Sequence, residues 1–121
     1  MVYLHVNKIL KEMIEKVTDI NLEEQLNKNE KVVVKFFADW CGVCKAFEPQ
    51  FKKMAEETDE SIKFLEINAP DNPKARLSAG VYSLPFFASY ENGELKEKIS
   101  TADRKAVQQL IDGFKNTGTE N

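Results

Sequence analysis

Both cysteines of this 121-residue chain lie in one segment, Trp40-Cys41-Gly42-Val43-Cys44-Lys45, placed where two kinds of periodicity meet. Upstream, Val32-Val33-Val34-Lys35-Phe36-Phe37-Ala38 is a nearly unbroken apolar run, the pattern of a strand buried on both faces. Downstream, Phe47, Phe51, Met54 and Ala55 recur at helical spacing. The Cys-x-x-Cys spacing lets one thiol close a disulfide with the other across a single helical turn. A strand must therefore end and a helix begin here, with Cys41 at the helix N-terminus.

The length allows one domain with a proper core and no second one. At 42% hydrophobic and 31% charged residues the composition is that of a folded chain rather than a disordered one. The net charge of -3, with acids and bases interleaved, does not make a nucleic-acid surface. No apolar stretch nears the ~20 residues that span a bilayer. At the N-terminus, His5, Asn7, Lys8, Lys11 and Glu12 interrupt Val2, Leu4, Val6, Ile9 and Leu10, so no signal-peptide core forms. Glu12 and Glu15 argue against a transit peptide. The chain is therefore expected in the cytoplasm, where thiols are kept reduced and a purely structural disulfide is out of place. A metal site needs about four ligands, and beyond the two sulfurs there is one histidine, His5; no metal is expected.

Along the chain, Val6, Ile9, Leu10, Met13 and Val17 predict an amphipathic helix over 4–16, with a short strand near 16–18. Asn21 is a plausible N-cap for a helix over 22–28, with Leu22 and Leu26 inward. Strand 32–38 and a helix over 41–58 follow, the latter bent near Glu48 by Pro49. Ile62 to Asn68 reads as a strand, Lys74 to Ala79 as a short helix stopped by Gly80, and Phe86 to Tyr90 as another strand. Glu91-Asn92-Gly93-Glu94 is a strong hairpin signal into a strand over 95–99. Thr101 or Asp103 opens a last helix with Ala106, Val107, Leu110, Ile111 and Phe114 on one face, before a polar tail over 115–121 that is expected to fray. This order predicts an α/β domain, with a parallel half and an antiparallel hairpin in one mixed sheet and helices on both faces. A helical extension is expected over 1–15, the domain over 16–115 and a flexible tail over 116–121.

Ala38-Asp39-Trp40-Cys41-Gly42-Val43-Cys44-Lys45, Pro49 in the following helix, Leu84-Pro85 before a strand and Asn92-Gly93 in the last hairpin closely resemble the thioredoxins. The resemblance runs from about Val17 to Phe114. It implies a central mixed sheet flanked by helices, and dithiol–disulfide exchange with protein disulfides. It makes Cys41 the attacking thiol and Cys44 the thiol that resolves the mixed disulfide. It makes Pro85 a cis-proline beside them, and Trp40, Leu84 and Pro85 the frame of the substrate groove. No cofactor is needed within the chain, because the reducing equivalents reside in the sulfurs. A thioredoxin-reductase-type flavoenzyme is the implied electron donor, and a monomer the expected state.

The residues suit that chemistry. Only the thiolate attacks sulfur, and an ordinary cysteine has a pKa of ~8.5. The unpaired N–H groups and dipole of a helix N-terminus favour the anion of Cys41. Cys44, one turn inward, is expected to be less exposed. Trp40, at a strand end, reads as a surface residue beside the nucleophile rather than as core.

The chain also departs from the family pattern. Val43 stands where thioredoxins carry proline, which restores an N–H at the helix start and predicts a more oxidising disulfide. Lys35 stands where the family has a buried aspartate, and Glu66, by alignment, where it has the lysine facing that aspartate. Either Lys35 stretches to solvent, or Lys35 and Glu66 pair with exchanged sides and tune the Cys44 proton. Phe86 replaces a usual threonine and is expected to enlarge the apolar surface near the cysteines. Phe37 replaces a tryptophan and Ser100 a glycine beside the groove. The sequence thus points to a protein-disulfide reductase. Its alternatives are a disulfide oxidase or isomerase of higher potential, and a non-catalytic adaptor binding through Trp40 and Phe86 or through the N-terminal helix.

Overall fold

The computed structural model describes residues 13–119. Its elements are β1 (Ile14–Val17), α1 (Leu22–Lys28), β2 (Lys31–Phe37), α2 (Gly42–Glu57), β3 (Ile62–Asn68), α3 (Pro73–Ala79), β4 (Phe86–Glu91), β5 (Glu94–Ser100) and α4 (Arg104–Thr119). They build one five-stranded sheet in the order β1-β3-β2-β4-β5. β1 and β2 run parallel to β3, and β4 runs antiparallel to β2 and β5, so the sheet is mixed as expected.

Alternation along the central strands makes two cores. Val32, Val34 and Phe36 face Leu22, Ala75 and Ala79 of α1 and α3, together with Leu65, Ile67, Phe86 and Ala88. Val33, Phe64 and Phe87 face Phe47, Phe51 and Met54 of α2 and Val107, Leu110, Ile111 and Phe114 of α4. Rings meet edge-on within each core, Phe36 with Phe86 at 5.9 Å and Phe51 with Phe64 at 5.6 Å, a geometry that adds to the burial of apolar area.

The turns behave as their residues dictate. Asn92 and Gly93 both take positive φ, 53° and 85°, which a two-residue hairpin requires. Gly80 closes α3 in the left-handed region at φ 71°. Asp103 Oδ1 accepts the Lys105 N–H at the start of α4. Pro49 lies within a single helix, α2.

Several expectations are corrected. Residues 14–16, read as the end of a helix, are strand, because β1 pairs with β3 from Ile14↔Phe64 to Val17↔Ile67; the rest of that helix, and His5, lie outside the described residues. Asn21 occupies the cap position of α1 without capping it. Its Oδ1 instead accepts the Thr18 N–H at 2.7 Å, tightening the preceding turn. The α4 helix spans Arg104–Thr119, longer than its apolar face over 106–114.

Candidate active site

The end of β2 and the start of α2 place the two sulfurs. The Cys41 N–H donates to the Ala38 carbonyl at 3.1 Å, which turns the chain off the strand. Cys41 is then the N-cap of α2, with extended φ and ψ of -87° and 102°. Its Sγ accepts the Cys44 N–H at 3.1 Å, the bond a capping oxygen makes elsewhere. The two cysteines are joined in a disulfide with Cα atoms 5.3 Å apart. Cys41 is 8% exposed and Cys44 2%, the order expected of an outer and an inner sulfur. Gly42 has open space where a side chain would project.

The antiparallel register Phe36↔Phe86 brings the segment before β4 up to the end of β2. There the Leu84–Pro85 peptide is cis, as the resemblance implied. Leu84 packs against the cluster of Ala38, Cys41 and Cys44. The Pro85 carbonyl accepts the Thr101 N–H at 3.2 Å and the Ser100 hydroxyl at 3.4 Å, so Ser100 ties the proline segment to β5. Trp40 is 76% exposed, a surface residue as expected.

Phe86 does not enlarge this surface. It is fully buried in the core on the α1 and α3 side, because its register position turns it away from the cysteines. Tyr82, which the sequence reading missed, lies edge-on to it at 5.6 Å and is exposed. The apolar groups of the motif open to solvent are therefore Trp40 and Val43. Phe37 was also underrated. It packs directly against the cysteine cluster, the place for the last residue of the strand that carries the motif.

Lys35 and Glu66 are opposite one another in the β2–β3 register. Lys35 Nζ stands 3.7 Å from Glu66 Oε2, with side chains 2% and 9% exposed. The ammonium therefore does not stretch to solvent. It sits 5.3 Å from the Phe51 ring centroid and 5.7 Å from that of Phe37, a cation–π setting on two sides. Burial holds the Lys35 ammonium below the ordinary lysine range; Glu66 and then Glu48 oppose that shift, and Lys52 adds slightly to it. Glu48, one turn beyond Cys44 on α2, entered the sequence reading only as the site of a bend; its i+4 spacing from Cys44 was the available signal that it lies near the site.

The Thioredoxin family model matches residues 13–113 of the chain. The chain belongs to the thioredoxin family. Its relatives include a thioredoxin of Rickettsia typhi, 36% identical over 101 residues, 82% of this chain and 96% of that protein. Thioredoxin-1 of Schizosaccharomyces pombe is 35% identical over 100 residues, again 82% and 96%. Among solved structures, a Plasmodium falciparum thioredoxin superposes with a TM-score of 0.77 at 28% identity, covering 83% of this chain and 98% of that one. The N21Q mutant thioredoxin of Halobacterium salinarum gives 0.74 at 27% identity, covering 83% and 88%. With a cysteine pair at the thioredoxin active-site position, the protein is a dithiol–disulfide oxidoreductase. Among the described residues, no helix is long and apolar enough to cross a membrane, and no group of three or more His, Cys, Asp or Glu could hold a metal ion.

Proposed function

We propose that the protein reduces disulfides of other proteins in the cytoplasm as a monomer, and is itself recycled by a thioredoxin-reductase-type flavoenzyme. The observation that carries this reading is the helix cap made by sulfur. Cys41 is the outer cysteine and its Sγ accepts an N–H of the first turn of α2, while Cys44 lies one turn inward and almost fully buried. In the reduced state the same N–H and the helix dipole favour the Cys41 thiolate. That thiolate attacks a target sulfur; the target disulfide breaks, and a mixed disulfide forms. Cys44 then loses its proton and attacks Cys41 Sγ. The Cys41–Cys44 bond forms as the bond to the target breaks, and the target leaves as a reduced thiol.

Trp40, Leu84 and Pro85 frame the groove for the target chain, Leu84 being in contact with the cysteine cluster. Lys35 and Glu66 tune the inner sulfur. The Lys35 ammonium lies over Phe37, which packs on the cysteines, and Glu66 accepts the Cys44 proton directly or through water. Val43 favours a second reading, an oxidase or isomerase of higher potential, because the helix start there keeps an N–H that proline would remove. Burial of Phe86 takes it out of the apolar rim expected of an adaptor and leaves Trp40 there; most of the N-terminal helix, the adaptor's other expected contact, lies outside the described residues.

A Cys44→Ser variant tests the reading. It should accumulate mixed disulfides through Cys41 with many cellular proteins, while the unaltered protein reduces insulin with NADPH and a thioredoxin reductase. Capture of one partner that persists without either cysteine would refute it.

A further inference from the structure

Lys16, Glu66 and Lys35 occupy one row across three strands. Glu66 on β3 is opposite Lys16 on β1 and opposite Lys35 on β2. The row runs from inside to outside, since Lys35 is 2% exposed, the Glu66 side chain 9%, and Lys16 is exposed. On its outer side a cleft of about 370 Å³ opens to solvent, lined by Glu66 with Lys16, Thr18, Phe37, Asp39 and Asn68 among others. None of Trp40, Cys41, Cys44, Leu84 and Pro85 lines it. The cleft opens beside the cysteine motif, lined by Phe37 and Asp39 but by none of the residues that frame the proposed groove. Its lining mixes polar side chains such as Asp39, Asn68 and Asp71 with the apolar Val17 and Phe37, and the buried Asn68 Oδ1 finds no hydrogen-bond partner among the described residues, the kind of acceptor that water satisfies.

The geometry points to this cleft as the passage by which the Glu66 carboxyl exchanges its proton with solvent while a target protein covers the groove. This rests on the reading of Glu66 as acceptor of the Cys44 proton. During resolution the Cys44 S–H bond breaks and its proton goes to the Glu66 carboxylate; the Cys44 thiolate then makes the Cys41–Cys44 bond and expels the target thiolate. Glu66 passes its proton to water in the cleft, and no path through the covered groove is required. The charged groups around the route are Lys16 on β1, Lys35 on β2, Glu48 and Lys52 on α2, and Asp39 and Asp71 at the cleft. A passage that admits water to Glu66 also admits a small carboxylate once the Glu66 side chain is shortened.

The test is chemical rescue of single-turnover resolution of a preformed mixed disulfide. Glu66→Ala should resolve it about 10²-fold more slowly, the usual scale for loss of a positioned base. Added formate should restore much of the rate and benzoate should not. Lys16→Trp in the same background, which fills the mouth of the cleft, should abolish the formate effect. An undiminished rate in Glu66→Ala overturns the acceptor role and this passage with it. A slowed rate that formate does not restore, or restores equally with Lys16→Trp present, overturns the passage alone. If Glu66→Ala does not fold, Lys16→Trp in the otherwise unaltered chain decides. Circular dichroism should show it folded; resolution should slow about tenfold with the initial attack by Cys41 unchanged, and an unchanged resolution rate overturns the passage.

Discussion

Removal of Glu66 should damage the protein more than removal of Lys35, although the two form one ion pair. In Glu66→Leu, Lys35 stays 2% exposed between two rings with its near carboxylate gone. Breaking a buried pair in this way typically costs ~3–5 kcal/mol. Lysine has an escape, because it can shed its proton. At about 1.36 kcal/mol per pH unit, doing so at pH 7 from the ordinary value of 10.5 limits the loss to about 4.8 kcal/mol. In Lys35→Met the remaining carboxylate borders the open cleft and keeps some hydration, so the loss should be nearer ~1–3 kcal/mol. The double variant, a buried pair replaced by apolar groups, should be about as stable as the parent or more so, by up to ~4 kcal/mol. Lys35→Asp, which sets two carboxylates side by side, should be worse than Lys35→Met.

The pH dependence has a definite sign. Burial lowers the folded-state pKa of Lys35 below its unfolded value of 10.5, so between the two the unfolded chain binds more protons. Stability then rises with pH across that window. The deficit of Glu66→Leu should accordingly shrink as the pH is raised from 7 towards 10, and that of Lys35→Met should show no such recovery. Urea unfolding of the three variants and the parent, followed by circular dichroism, measures all of these quantities. Single-variant losses that add within ~0.5 kcal/mol would show that the pair is not coupled. A larger loss in Lys35→Met than in Glu66→Leu, or a Glu66→Leu deficit that does not shrink with pH, would refute the reasoning from desolvation.

Three further outcomes are expected. Val43→Pro removes one N–H from the first turn of α2 while keeping the Cys44 N–H that Cys41 Sγ accepts; with a charge-assisted bond at ~1.5 kcal/mol as the upper bound, the disulfide should become more reducing by up to about 30 mV, at most a tenfold shift in equilibrium with glutathione, and an equal or more oxidising variant contradicts this. Glu66→Gln should slow resolution of the mixed disulfide in single-turnover insulin reduction without slowing its formation; an unchanged rate removes Glu66 from the mechanism. Phe86→Ala, in a fully buried position, should cost ~3–5 kcal/mol in urea unfolding and leave insulin reduction by the folded protein near normal. A selective loss of reduction with little loss of stability would return Phe86 to the groove.

Much of the fold was legible because the deciding information was local. The apolar run 32–38, the Asn92-Gly93 turn, the Gly80 stop and the apolar face of α4 each name their structure within a few residues. β1 was legible only in part, as a short strand expected near 16–18 that in fact begins at Ile14. Ile14-Glu15-Lys16-Val17 fits a helical stripe and an alternating strand equally well, and its strand character comes from pairing with Phe64 to Ile67, some fifty residues later. The N-terminus of α3 is another distant effect, since Asp19 Oδ1 accepts the Ala75 N–H at 2.7 Å from the β1–α1 turn. Phe86 was misjudged for a related reason. Its position after Pro85 is local, but the face it takes is fixed by pairing with Phe36. The site was more legible than its surroundings, because the cysteine spacing is a sequence feature and the resemblance to thioredoxins implied the cis-proline, whereas Tyr82 and Phe37 acquire their places only through packing.

The exchanged charge pair shows which part of such a site physics constrains and which it leaves free. Two ionised groups side by side on adjacent strands, nearly out of solvent, need opposite signs and a shared register. The positions 35 and 66 supply the register whichever residue is acid. The order is not neutral towards the sulfurs. Lys35 lies on β2, the strand that ends at the motif, and its ammonium rests on Phe37, which packs against Cys41 and Cys44. Glu66 lies one strand further out, against the cleft. A cation on the cysteine-bearing strand favours sulfur anions, where a carboxylate in the same place would oppose them. The carboxylate, moved outward, borders the cleft, and on the proposed mechanism it is there that the Cys44 proton is released. In the mechanism proposed above, exchange of the pair separates two tasks that one buried acid would have to combine, stabilising charge near the sulfurs and carrying the proton away.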